Sequence, residues 1–197
     1  MTTPSKSDVL SLTNQFLIAM PSLDDPNFEQ SVSYICEHNN EGAMGVVINR
    51  ATTLCFSDLC EQLEIEISDS DVANYPIYDG GPVETERVFI LHTPLGEWEN
   101  TLAVTNEIGL TMSKDIIEAI AEGYDSDNTP PKHFIIMLGY AGWSEDQIED
   151  EIAENIWLNV LASSEIIFNT PIDKRWSAAA AALGINLQQL SSDIGHA

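Results

Sequence analysis

Cys36 and His38 stand two residues apart in ICEHNNEGAMGVVINR, residues 35–50, and Arg50 closes the stretch. Residues i and i+2 share one face of a strand, so a strand running to His38 would put thiol and imidazole side by side. An imidazolium there would lower the thiol's pKa, and a neutral His38 would serve as its base. Arg50 is the third polar candidate in the same hairpin. The competing reading is structural. Free cysteine is among the most buried residue types, which makes Cys36 a small apolar side chain in a sheet and His38 a turn residue.

Two glycine-rich pieces, DGGP (79–82) and GYAGWS (139–144), raise a different chemistry. The second is expected between a strand and a helix, where backbone N–H groups cradle phosphate. It lacks the lysine of a GxxxxGK[ST] loop and the spacing of GxGxxG. Glu145 and Asp146 fall in the first turn of the following helix, which suits the helix dipole and repels an added anion. Gly139 and Gly142 are therefore read as backbone requirements, through positive φ or close packing. No metal or cofactor is expected. His38, His92, His133 and His196 are scattered, Cys55 and Cys60 are five apart on an expected helix, and the acidic run after Trp143 lacks EF-hand order. No GxSxG elbow offers a serine nucleophile.

Charge narrows the partners. Seven Lys and Arg against 32 Asp and Glu give a net charge of −25. Such a chain gains nothing from counterion release on DNA and is repelled by anionic lipid. Direct nucleic-acid binding and membrane association are disfavoured, and the expected partner is a protein or a small molecule. The first residues, MTTPSKSDVL, lack the apolar stretch of a secretory signal, and three cysteines make no disulfide framework. Both features point to the cytoplasm.

The elements that would position these residues read as one α+β domain over residues 12–197, after a loose tail of residues 1–11. Phe16–Met20 is an expected strand, stopped by Pro21. Ser31–Glu37 alternates, with Val32, Tyr34 and Cys36 on one face, and pairs with Met44–Asn49 through an Asn/Gly turn. A helix over Phe56–Leu63, capped by Ser57, precedes an acidic loop over 64–76. Strands are expected at Arg87–His92, Thr101–Thr105 and Ile108–Thr111, then a helix from Ser113 to Gly123. HFIIML, 133–138, reads as the central strand. The next helix has a Ser144/Gln147 capping box, with Ile148 and Ile152 inward and Glu149, Asp150, Glu151 and Glu154 outward. A strand at Ile166–Phe168 and an alanine-rich helix running from Pro171 to Gly184 complete the chain.

Taken in order, four segments resemble the YqgE/AlgH family of bacterial proteins: FLIAMPSLDDPNFEQSVSYICEHNNEGAMGVVINR, YDGGPVETERVFILH, LGYAGWSEDQIEDEIAENIWL and RWSAAAAALGINLQQLSSDIGHA. The resemblance spans residues 12–197 and departs from the family pattern at Gln30, Ala51 and Glu145-Asp146. It implies a barrel-like, mainly antiparallel sheet flanked by helices, in a cytoplasmic protein. One branch carries a name tied to transcriptional regulation of alginate synthesis. The matching motif residues are Cys36, His38, Asn39, Asn49, Arg50, Gly80, Gly81, Pro82, His92, Gly139, Tyr140, Gly142 and Trp143. On this reading the protein is a non-enzymatic binding or regulatory protein that acts through partners. The alternative is a cysteine-dependent or redox enzyme built on Cys36 and His38.

Overall fold

The computed structural model describes residues 11–123 and 130–186. Residues 1–10 of the expected tail, residues 124–129 of the loop before the central strand, and residues 187–197 with His196 lie outside the described part. Among the described residues ten strands form one sheet: β1 (Gln15–Ala19), β2 (Val32–Asn39), β3 (Gly42–Val47), β4 (Ala51–Cys55), β5 (Pro76–Asp79), β6 (Val83–Thr93), β7 (Thr101–Ala103), β8 (Gly109–Thr111), β9 (His133–Ser144) and β10 (Trp157–Leu161). Their order is β10-β1-β2-β3-β9-β6-β8-β7, with β5 also against β9 and β4 against β5. Every pairing is antiparallel except β5 with β9. The result is an α+β fold around an antiparallel half-barrel, as its sequence implies.

Strand β9 organises the sheet because it is apolar on both faces and twelve residues long. Its first half pairs with β5, through Ile77–Ile136 to Asp79–Leu138, and its second half with β3, through Met44–Gly142 and Gly45–Ala141. The segment expected as a strand-to-helix loop, GYAGW, is thus the second half of this strand. One face of the sheet buries Phe16, Tyr34, Cys36, Ile48, Phe89 and Met137 under a π-helical turn, Glu165–Asn169, and α4 (Arg175–Ala182). The other face carries two patches. Ile77, Ile90 and Ile136 lie under α1 (Phe56–Leu63) and α2 (Lys114–Glu122), while Leu17, Ile35 and Trp143 lie with Ile148 of α3 (Gln147–Ala153).

Four local expectations are corrected. Residues 166–168 belong to the π-helical turn, whose wide backbone closes with Thr170 N–H on the Glu165 carbonyl and turns Ile167 into the core. The late strand is instead Trp157–Leu161, paired along its length with β1. The short strands β4, before α1, and β5, after the acidic loop, are additional to those expected. Helix α1 is capped by Cys55, not Ser57: the Cys55 N–H donates to Asp58 three residues on (2.8 Å), a reciprocal cap closed by a cysteine.

Candidate functional site

A β-bulge decides the thiol–imidazole question. Ile35 pairs with Gly45 and Glu37 with Met44, leaving Cys36 as the extra residue between them. The extra residue shifts the alternation by one. Cys36 stays in the large core, whereas His38 pairs with Ala43 on the opposite face, under α3. The expected shared face does not exist. Cys36 is fully buried, its thiol donates to the Tyr34 carbonyl (3.6 Å), and burial pushes its pKa up. His38 has both ring nitrogens engaged: Nδ1 accepts the Leu12 N–H at 2.9 Å and Nε2 lies 2.9 Å from Glu149 Oε1. The neutral ring satisfying both partners carries its proton on Nε2, so no lone pair is left to act as a base. Arg50 is elsewhere, its guanidinium donating to the carbonyls of Pro26 and Glu29.

Other motif residues are also consumed by the fold. Asn49 accepts the Val32 N–H (2.7 Å) and donates to the Gln30 carbonyl (2.9 Å), so Asn49 and Arg50 together pin the 26–32 loop to the sheet. His92 is fully buried. Its Nδ1 faces the Pro94 carbonyl (3.1 Å), which only accepts, so Nε2 takes the Thr111 hydroxyl proton (2.8 Å). Desolvation holds its pKa below the usual histidine value. Trp143 Nε1 donates to Glu151 Oε2 (3.0 Å), the same oxygen that accepts from Trp157 Nε1 (2.7 Å). Glu149 and Glu151 therefore face inward, contrary to their expected outward placement, because α3 lays them over His38 and the two indoles.

The glycines divide into two kinds. Gly80, Gly81 and Gly139 interlock where β5 gives way to β3 beside β9. A Cβ on Gly80 would stand 2.3 Å from the Gly139 carbonyl oxygen, one on Gly81 2.4 Å from that of Tyr140, and one on Gly139 2.4 Å from that of Gly81. Gly81 and Gly139 also hold φ of +142° and +73°, a region unfavourable to side chains. Pro82, exposed, follows this knot into β6. Gly142 has neither constraint: its φ is not positive, and an added Cβ would meet only Tyr140 Cε2 at 3.5 Å.

Gly142 is exposed on the floor of a pocket of about 330 Å³ at the end of the β2–β3 hairpin. Register builds it. Glu37, Met44 and Gly142 form one row across β2, β3 and β9, with Tyr140 two residues before Gly142 on the same face. Asn39 stands at the rim, donating to Glu37 Oε1 (3.1 Å) and accepting the Glu41 N–H (2.8 Å). Two carboxylates, an amide, a thioether and an aromatic ring thus surround a patch of bare backbone.

A family model described as AlgH-like matches residues 16–188. The chain belongs to the AlgH-like family. It is 50% identical over 187 residues to a UPF0301 protein of Thioalkalivibrio sulfidiphilus, covering 95% of this chain and 97% of that one. A UPF0301 protein of Nitrosococcus oceani is 47% identical over 184 residues, 93% and 96% of the two chains. The solution structure of the AlgH protein from Pseudomonas aeruginosa matches with a TM-score of 0.76 and 42% identity over all of both chains. A Corynebacterium diphtheriae protein shares the fold at a TM-score of 0.66 and 17% identity, over 93% and 92% of the chains.

In this AlgH-like chain the structure gathers Asn39, Tyr140, Gly142 and Trp143 of the motif residues at the hairpin pocket. It places Cys36, His38, Asn49, Arg50, His92 and the DGGP glycines elsewhere, in structural roles. Sequence reasoning passed over Glu37, Glu41 and Met44, which only the bulged register brings to the pocket. Among the described residues no group of three His, Cys, Asp or Glu is placed to hold a metal ion. No helix among them is long and apolar enough to cross a membrane.

Proposed function

We propose that this AlgH-like protein is a cytoplasmic, non-enzymatic binding protein. Any regulatory effect is exerted through a protein or small-ligand partner rather than by contact with DNA. The hairpin pocket is its recognition site, and a guanidinium or ammonium group is the chemistry it suits. Gly142 carries the reading: it is a motif glycine with no conformational or packing need, lying under an open pocket. Glu37 and Glu41 supply charge at the rim, and Tyr140 supplies a ring face for a cation. The buried, protonated Cys36 and the fully engaged His38 argue against the cysteine-dependent alternative.

The test is a titration of the protein with the blocked amino acids N-acetyl-arginine amide, N-acetyl-lysine amide and N-acetyl-glutamate amide, followed by backbone amide NMR. The cationic probes are expected to move the signals of Glu37, Asn39, Glu41 and Gly142 in a saturable way, and the glutamate probe to leave them in place. Equal shifts with all three, or cation-induced shifts spread over the acidic surface, would overturn the proposal.

A further inference from the structure

A second recess lies on the other side of the sheet, between α1 and β6, with a volume of about 500 Å³. It exists because β6 departs from its partner: Val83 pairs with Tyr140 and Val88 with Leu138, so residues 84–87 bulge away from the sheet and leave the flank of α1 uncovered. Leu59 and Leu63 of α1, with Ile77, Val88 and Leu138 of the sheet, make an apolar floor. Leu54, on edge strand β4, forms the lip and is 41% exposed, which carries the apolar lining out to the surface.

The rim is acidic. Asp58 stands on the helix side and Glu86 on the bulge side, with Glu84 beside it. The nearby Arg87 is spent on Glu84 (2.9 Å) and on the Phe89 ring, 5.6 Å below its guanidinium. The Cys55 N–H holds the Asp58 carboxyl below its usual range, so this rim charge is present across the neutral range.

We infer that this recess docks a basic amphipathic segment of a partner protein, with leucine-sized side chains on the apolar floor and flanking lysine or arginine on the Asp58 and Glu86 rims. The apolar floor and the charge of the rim together select that occupant. A phosphate backbone or an anionic lipid surface would meet only repulsion from a chain of net charge −25. An acidic segment would be repelled by both rim carboxylates, and an uncharged apolar one would gain nothing from them. A helix laid in the groove would present anchors at i, i+3 and i+4. The inference stands independently of the hairpin pocket.

The test is fluorescence anisotropy of an 18-residue, fluorescein-labelled amphipathic peptide of leucine and lysine, against the same peptide with glutamate for every lysine, at physiological salt. The protein is compared with Leu54→Ser, Glu86→Lys and, as a charge-matched control away from both pockets, Glu107→Lys at an exposed position. Leu54 and Glu86 are exposed, so both recess variants should fold, which circular dichroism verifies. The lysine peptide is expected to bind, to weaken about tenfold in each recess variant, and to be little changed by Glu107→Lys; tenfold corresponds to about 1.4 kcal/mol. Equal binding of the lysine peptide to wild type and both recess variants would reduce the interaction to general charge attraction and overturn the inference. So would no binding of the lysine peptide, or equal binding of the glutamate peptide.

Discussion

Alanine at Gly139 and alanine at Gly142 differ by three positions in one strand and should have opposite consequences. At Gly139 the backbone sits at φ +73°, where a Cβ costs about 1–2 kcal/mol. The new methyl would also stand 2.4 Å from the Gly81 carbonyl oxygen and 2.9 Å from that of Val83. Both obstacles are main chain, so relief requires β6 and the DGGP turn to move, at a further cost of about 1–3 kcal/mol. The sum, about 2–5 kcal/mol, is a large share of the roughly 5–15 kcal/mol that holds a typical domain folded. For a chain of this size each kcal/mol lowers Tm by about 2–4 °C, so Gly139→Ala should melt roughly 4–20 °C below wild type. Gly142→Ala places its methyl 3.5 Å from Tyr140 Cε2, an ordinary contact, at a backbone with no positive φ. Its stability should stay within about 1 kcal/mol of wild type, on the favourable side if the lost glycine entropy of the unfolded chain dominates. Urea denaturation and thermal melts of the two variants check this. Comparable destabilisation by both would refute the division of glycines into structural and free.

Glu151→Ala should remove the shared acceptor of two buried indoles and cost about 2–4 kcal/mol, with a change in tryptophan fluorescence, since hydrogen bonds to a charged group are the stronger kind. Iodoacetamide at neutral pH, read by peptide mass spectrometry, should label the half-exposed Cys55 and spare Cys36 in the folded protein; rapid labelling of Cys36 would restore the activated-thiol reading. Burial also raises the Cys60 thiol to about 11, from 9.0 in an unperturbed chain. The unfolded chain therefore loses this proton first, so stability should fall as pH rises from about 9 towards 11, and Cys60→Ala should flatten that fall. The opposite sign holds for His92, whose depressed pKa lets the unfolded chain bind a proton before the native one. An NMR titration should place its midpoint below 6.5, with stability declining as the pH drops through that range.

The sheet was legible in the sequence wherever strands alternate or run apolar. Phe16–Met20, the 35–50 hairpin, RVFILH and HFIIML all lie in strands, and the α1 and α2 helices match their apolar spacing. Strand β9 exceeded its expectation because glycines normally end an apolar run, whereas here Gly139 allows the strand to pass the DGGP knot. Strands β4 and β5 were missed because ATTLC and PIYD are short and pair only at a distance, β4 with β5 across α1 and the acidic loop, and β5 also with β9. Residues Ile166–Phe168 have strand-like composition, yet a wide helical turn seats Ile167 in the core instead. The site was legible in part. Asn39, Tyr140, Gly142 and Trp143 came from the motif pattern, but the bulge at Cys36 has no local signature. That one inserted residue separates Cys36 from His38 and turns Glu37 towards Met44 and Gly142.

The most direct test of the hairpin pocket as the recognition site is one variant read in two ways. Gly142→Val fills the pocket floor without touching any structural hydrogen bond described above, and β-branched residues suit a strand. The expected result is a melting temperature within a few degrees of wild type, by the same roughly 2–4 °C per kcal/mol, together with loss of the N-acetyl-arginine amide shifts at Glu37 and Glu41. A stable Gly142→Val protein in which those residues still respond to the arginine probe as in wild type would contradict it.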